Sequence, residues 1–160
     1  MVGSTSSCST SPCTLDRFTA NHAGTTNGYF DWEKIAQYDE RKCKSLLVNP
    51  GIVRNRLKVF GTVANAKAFI KVRAEFGTFS KYFWGFTGGK TIRNHFKTMK
   101  DVPPVTELAT AISKDLKKRG FTFVGPTIIY AYMQAVGMVN DHMTFCFRHK
   151  ECLKLGKKRA

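Results

Sequence analysis

Apolar residues recur at helical spacing along most of the chain, and no stretch alternates convincingly at the two-residue period of a strand. The pattern begins near Phe30. Asp31 is placed to cap a short helix through Ile35, and Asp39 a second through Leu47. Asn49-Pro50-Gly51 breaks the chain and starts a long helix. On it Ile52, Val59, Val63, Ala66 and Ile70 fall on or near one face, while Arg54, Arg56, Lys58, Lys67 and Lys71 lie mostly elsewhere. Gly61 weakens this helix without ending it, and Gly77 closes it. Ser80 is the expected cap of a short aromatic helix, Tyr82 to Phe86. Aromatics beside Lys81 have two readings, a core element or a stack for a nucleobase, and core is favoured. Gly88-Gly89-Lys90 is a turn, because the Walker spacing of a phosphate loop is absent. Residues 90–105 look irregular up to Pro103-Pro104. Thr106 and Glu107 then open a helix whose Ala109, Ile112 and Leu116 share a face. A last strong helix holds Ile128, Ile129, Ala131, Tyr132, Ala135 and Val136, is apolar almost all round and is expected to be central. Gly137 ends it. The predicted fold class is all-α.

Between the last two helices runs Lys114-Asp115-Leu116-Lys117-Lys118-Arg119-Gly120-Phe121-Thr122-Phe123-Val124-Gly125-Pro126-Thr127. Lys117, Lys118 and Arg119 load the end of the first helix with positive charge, which suits the negative end of its dipole. Gly120 is placed as the left-handed residue that stops the helix. Pro126 suits the first position of the next one, where a missing N–H costs nothing. Such a hairpin aims backbone N–H groups outward with cations beside them, which suits a phosphate. An ordinary turn with a solvated basic face fits these residues equally.

Charge changes the picture. Of 160 residues, 26 are Lys or Arg and 11 are Asp or Glu, a net charge of +15. Residues 1–29 hold only Arg17 and Asp16, so the whole excess lies in 30–160. A folded domain that basic points to a polyanion, most often nucleic acid. Residues 1–29 are rich in Ser and Thr and carry no apolar period, so a disordered lead-in is expected there. Residues 30–153 form the expected helical domain, and 154–160 a basic tail that frays. The longest apolar run, around Ile128 to Val139, is broken by Tyr130, Tyr132 and Gln134, so no membrane span is expected. No signal peptide is recognisable at the N-terminus. Cys8, Cys13, Cys43, Cys146 and Cys152 are odd in number and irregular in spacing, which favours a reduced, intracellular protein. Cys8, Cys13 and His22 fit no common zinc spacing.

His142 and Cys146 are four apart, a spacing that would put both on one face of a helix as a two-ligand contribution to zinc. A buried cysteine beside a hydrogen-bonded histidine fits the same pair. His149 and Cys152 are the nearest candidates for two further ligands.

Several runs together resemble DNA-3-methyladenine glycosylase I, the zinc-containing branch of the helix-hairpin-helix DNA glycosylases. They are Ile112 to Phe121, Phe123 to Thr127, Tyr132-Met133-Gln134-Ala135 and Gly137 to His142. Asn49 to Lys58 resembles the family's central helix. Asn65-Ala66 and Trp84-Gly85-Phe86 fit it as well. The resemblance covers about residues 30–150. It implies hydrolysis of the N-glycosidic bond of alkylated adenine in duplex DNA by a monomer, with the damaged nucleotide swung out of the helix. Methylation leaves the base cationic and already a good leaving group. It also implies that Lys117, Lys118, Gly120, Phe121, Val124, Gly125 and Thr127 meet DNA, with the hairpin backbone gripping a phosphate. His142 and Cys146 match the C-terminal pair of four structural zinc ligands.

The family's opening Cys-Gly-Trp segment and the following His, which supply the other zinc ligands, have no counterpart here. Neither do its pocket Tyr, Glu and Trp. The base-binding carboxylate is therefore carried over to no residue, and little or no stoichiometric zinc is expected. Asp141 is given a capping or zinc-supporting role. Two functions follow from the resemblance: a base-excision glycosylase by descent, or a DNA-binding module of that fold without catalysis.

Overall fold

The computed structural model describes residues 31–157, with side chains through Lys154. The lead-in 1–29, with Cys8, Cys13 and His22, lies outside these residues, as do residues 158–160. The described chain is helical, as expected. Asp31 and Asp39 accept from the N–H groups of Lys34 and Lys42 at 2.9 and 2.7 Å, and so cap α1 (Trp32–Ala36) and α2 (Glu40–Leu47). The long helix, α3 (Arg56–Phe76), starts later than Asn49-Pro50-Gly51 suggests. Asn55 caps it by accepting from Lys58 N–H at 3.0 Å, so Ile52 lies outside the helix. Thr78, not Ser80, caps α4 (Phe79–Gly85), because its hydroxyl accepts from Lys81 N–H at 3.0 Å. α5 (Glu107–Lys118) is capped by Thr106, and α6 (Pro126–Ala135) begins on Gly125-Pro126. α7 (Phe147–Lys157) runs past Lys154.

The irregular stretch before α5 contains an element that sequence periodicity does not register. Ile92–Arg93 (β1) pairs in parallel with Val139–Asn140 (β2). The pairing extends outward through Ile92 N–H to Met138 carbonyl at 2.9 Å, Asn94 N–H to Asn140 carbonyl at 3.2 Å and Thr144 N–H to Phe96 carbonyl at 3.0 Å. Both β1 side chains are exposed, so main-chain bonding alone carries the strand and no alternation is left to read.

The core lies between α3, α4, α5 and α6. Phe69 and Val72 of α3, Tyr82 and Phe83 of α4, Ile112 and Leu116 of α5, and Ile129 and Met133 of α6 are buried together. The α4 aromatics are thus core, as favoured. Phe79 stacks between Phe69 and Phe83, with ring centres 5.2 and 5.9 Å away. A smaller cluster, Cys43, Val59 and Val63, joins α2 to α3. α6 is less central than its composition suggests. It buries Ile129, Tyr130 and Met133, while Ile128 is 60% exposed and Ala131 and Ala135 also face outward.

Gly61 owes its place to the hairpin that follows α5. A Cβ there would stand 2.7 Å from the Phe123 ring and 2.8 Å from the Thr122 hydroxyl. The glycine lets the hairpin lie directly on the α3 backbone. Alanine usually stabilises a helix interior by about 1 kcal/mol over glycine. Here the clash reverses the sign, and Gly61→Ala is expected to destabilise the fold by roughly 1–3 kcal/mol in urea unfolding. A more stable variant would contradict the close approach.

Candidate nucleic-acid interface

The hairpin is built from the end of α5. Gly120 sits at φ 90°, its N–H donates to Lys117 carbonyl at 3.0 Å, and Phe121 N–H donates to Leu116 carbonyl at 3.0 Å. This pair of bonds is a Schellman motif, and the apolar contact that accompanies it is between Phe121 and Leu116, both buried in the main core. The next residue is held from α3. Asn65 accepts from Thr122 N–H at 2.7 Å and donates from its side-chain amide to Thr122 carbonyl at 3.1 Å. Asn65 thereby pairs with both backbone groups of one residue, as a neighbouring strand would. Phe123 takes a left-handed φ of 57°. Buried Ser113 then donates to Val124 carbonyl at 2.5 Å. Three successive residues are therefore fixed by α3, by the turn itself and by α5.

The fixed hairpin aims α6 outward. Gly125 is its N-cap without a side-chain cap, and Pro126 occupies the first turn. The N–H groups of Val124, Gly125, Thr127 and Ile128 find no acceptor among the described residues. Nothing stands within 4 Å of where a Gly125 Cβ would be. Unpaired donors, the positive end of a ten-residue helix and open space are features that suit an anion.

The cations beside it divide into two kinds. Lys117, Lys118 and Lys114 are exposed and form no ion pair among the described residues. Arg119 is tied inward. It lies 4.9 and 5.0 Å from the Phe76 and Tyr82 ring centres and pairs with Glu75 at 2.6 Å and Asp115 at 2.8 Å. The Glu75 bond, then the Asp115 bond, raises its pKa further. Arg119 therefore braces the end of α5 and contributes little free charge to a ligand.

His142 and Cys146 do come together, though not by helical spacing. Both precede α7, and a turn brings Cys146 Sγ to 3.9 Å from His142 Nδ1. Two ligands of one tetrahedral zinc stand about 3.6 Å apart, so the pair suits a shared ion. His149 does not join them. Its Nε2 donates to Asn94 carbonyl at 3.1 Å and its ring is buried. Among the described residues no group of three or more possible ligands gathers. No closed coordination shell is built from these described residues.

Asp141 neither caps a helix nor supports the His142 ring. Its oxygens accept from Asn94 at 2.6 Å, Tyr130 hydroxyl at 2.5 Å and Gln134 at 2.8 Å. It ties α6 to the β1 segment. Burial first, and then the bond to Asp141, pushes the Tyr130 hydroxyl well above its ordinary pKa, so it stays a donor.

A family model described as methyladenine glycosylase matches residues 22–149. The chain belongs to the methyladenine glycosylase family. It is 40% identical over 117 residues to a DNA-3-methyladenine glycosylase of Haemophilus influenzae and 38% identical over 117 residues to DNA-3-methyladenine glycosylase 1 of Escherichia coli. Each match takes in 73% of this chain and 63% of the relative, so the chain spans less than two thirds of these glycosylases. A crystal structure of 3-methyladenine DNA glycosylase I superposes with TM-score 0.69 at 39% identity, covering 73% of this chain and 64% of that one. A variant of such an enzyme in complex with 3-methyladenine superposes with TM-score 0.70 at 32% identity, covering 73% and 63%.

In this member of the family the residues expected to meet DNA fall into two groups. Lys117 and Lys118 lie exposed in the last turn of α5, and Val124, Gly125 and Thr127 lie at the open N-terminus of α6. Gly120 and Phe121 shape the turn: their N–H groups are committed to α5 carbonyls, and the Phe121 ring is core. Asn65, Ser113 and Gly61 hold the hairpin and were not singled out as site residues. Asn65 and Ser113 lie in runs that carry the family resemblance, but nothing local gives these residues or Gly61 a part in the hairpin, because their partners lie in other parts of the chain.

Tyr82 hydroxyl donates to Asp115 at 2.8 Å, opposite Arg119. Burial alone would raise the Asp115 pKa, but the hydrogen bonds from Arg119 and then Tyr82 outweigh it and hold the carboxyl below its ordinary value. Its contribution is complete above the unfolded-chain value of about 3.9 and is lost as pH falls through the lowered folded value. Asp115→Asn should cost on the order of 1 kcal/mol at neutral pH and flatten the loss of stability below about pH 4. Parallel pH–stability curves for the two proteins would contradict this.

Proposed function

We propose that the hairpin and the N-terminus of α6 clip a backbone phosphate of duplex DNA, and that the protein works as a monomer in releasing alkylated adenine from it. The open donor set at Val124, Gly125, Thr127 and Ile128, held by Asn65 and flanked by free lysines, carries the reading. The net charge of +15 supplies the sequence-independent part of the attraction. The reaction inferred from the family is hydrolysis: the bond between C1′ and the base breaks, its electron pair neutralises the cationic base, and water adds at C1′ and gives up a proton. The clip's part is to hold the strand beside the lesion so that the nucleotide can rotate out.

A second reading, DNA binding without catalysis, is favoured because no residue of this sequence is matched to the family's pocket Tyr, Glu and Trp. Release of 3-methyladenine from alkylated DNA by the purified chain separates the two, since turnover supports the glycosylase and salt-sensitive binding without release supports the module.

For the clip itself, the double variant Lys117→Ala/Lys118→Ala should lower the slope of log K against log salt by roughly 2 if each lysine meets one phosphate. Gly125→Asp should weaken binding about tenfold or more by setting a carboxylate where the phosphate approaches. Unchanged affinity and slope in both would remove the clip.

We further infer that His142 and Cys146 are a zinc half-site, whose 3.9 Å separation suits one ion. Two ligands hold zinc weakly, so elemental analysis of the purified 160-residue chain should find well under one zinc per chain. One tight zinc per chain would mean that other donors close the shell.

A further inference from the structure

Residues 90–100 carry Lys90, Arg93, Lys97 and Lys100 and no Asp or Glu. The segment runs through β1 and ends in a short 3-10 turn, Met99–Asp101. Its main chain is tied down along its length. Ile92 N–H donates to Met138 carbonyl at 2.9 Å, Asn94 N–H to Asn140 carbonyl at 3.2 Å, and Phe96 carbonyl accepts from Thr144 N–H at 3.0 Å. Thr91 hydroxyl donates to Gly137 carbonyl at 3.0 Å, and Asn94 carbonyl accepts from His149 at 3.1 Å. The side chains are not tied in the same way. Arg93, His95 and Lys97 are exposed, while Asn94 and Phe96 between them are half-buried. Side chains two apart on an extended segment point the same way and follow each other at about 7 Å. The segment thus holds a row of outward basic groups on a fixed backbone.

The carboxylates around the segment are otherwise engaged. Asp101 accepts from the N–H groups of Lys97 and Thr98 at 3.1 and 2.8 Å and offsets part of the Lys97 charge. Asp141 is held by Asn94, Tyr130 and Gln134, and Glu151 pairs with Arg148 at 2.7 Å. Lys90, Arg93, Lys97 and Lys100 form no ion pair among the described residues. Cations fixed in a row repel one another, and a polyanion relieves that repulsion. Their place in the fold identifies the polyanion. β1 lies against the chain just past the end of α6, and α6 starts at the hairpin. The ten residues of α6 span about 15 Å and include no charged side chain, and Ile128, Ala131 and Ala135 are exposed along it. Free cations therefore stand beyond both ends of an uncharged helix. We propose that residues 90–100 are a second contact for the DNA backbone, with Arg93, Lys97 and Lys100 meeting phosphates of the duplex away from the hairpin. The inference rests on the reading that the chain binds duplex DNA.

The test measures binding of a short undamaged duplex by the 160-residue chain as salt is varied. Arg93→Ala/Lys97→Ala/Lys100→Ala should lower the slope of log K against log salt by roughly 2–3 and weaken binding at least tenfold at low salt. Circular dichroism should stay unchanged, because all three side chains are exposed. If that variant fails to fold, Lys97→Gln/Lys100→Gln leaves β1 untouched and should still lower the slope by roughly 2. Lys34→Ala/Arg41→Ala/Lys71→Ala removes the same charge from exposed positions on α1, α2 and α3, and should lower the slope by less than about 1. Equal losses in the two triple variants would reduce the effect to net charge and overturn the proposal. So would an unchanged slope in the Arg93, Lys97 and Lys100 variant, or a loss seen with duplex RNA and not with DNA. A hairpin failure reads differently: the Lys117 and Lys118 variant then keeps its slope while the Arg93, Lys97 and Lys100 variant loses it, which removes the clip and supports this contact. Absence of duplex binding by the unsubstituted chain would end both.

Discussion

The hold of Asn65 on Thr122 fixes the arrangement that the rest of this molecule depends on. One amide side chain on α3 satisfies both backbone groups of a hairpin residue, at 2.7 and 3.1 Å, across 57 positions of sequence. Both groups would otherwise be left for water to satisfy, and the hairpin would be free to lift away. Gly61, one turn earlier on α3, lets the hairpin approach closely enough for the pairing to form. Ser113 and the turn at Gly120 then leave α6 one direction in which to start. The open N–H groups are thus a consequence of packing between α3 and α5, and the donors are in place before any ligand arrives.

A second set of contacts holds the other end of α6. Asp141 gathers Asn94, Tyr130 and Gln134, and the short parallel pairing of β1 with β2 runs alongside. Asn140 is buried between them: it donates to His149 carbonyl at 3.1 Å and accepts from His142 N–H at 3.3 Å. The same residues therefore set the loop that brings His142 toward Cys146. Charge follows a similar division. Arg119 is consumed in bracing the core, while Lys117 and Lys118, its neighbours, stay free for an anion.

Much of this was legible in the residues themselves. Caps at Asp31, Asp39 and Thr106, the stop at Gly120 and the proline start of α6 are local, so sequence displays them. The apolar face of α5 is also where its period puts it. Family resemblance carried the fold further than periodicity did. What sequence hid acts at a distance or through the main chain. Asn65 reads as one polar residue on a long helix, and Gly61 as a mild weakness. The β1 pairing leaves both of its side chains exposed and so leaves no pattern. The start of α3 was misplaced because Asn49-Pro50-Gly51 is a strong breaker, whereas the cap itself is Asn55. The centrality of α6 was overstated because its outward apolar residues, Ile128 among them, are not covered by the described chain.

The central claim is that a preformed hairpin presents backbone donors to a DNA phosphate. Amide NMR of the full chain, titrated with a short duplex at low salt, tests it most directly. Shifts concentrated at Val124, Gly125, Thr127 and Ile128 are expected, with Thr122 still protected from exchange by Asn65. Shifts centred on the Gly88-Gly89-Lys90 turn or on α7, with the hairpin amides unmoved, would contradict it.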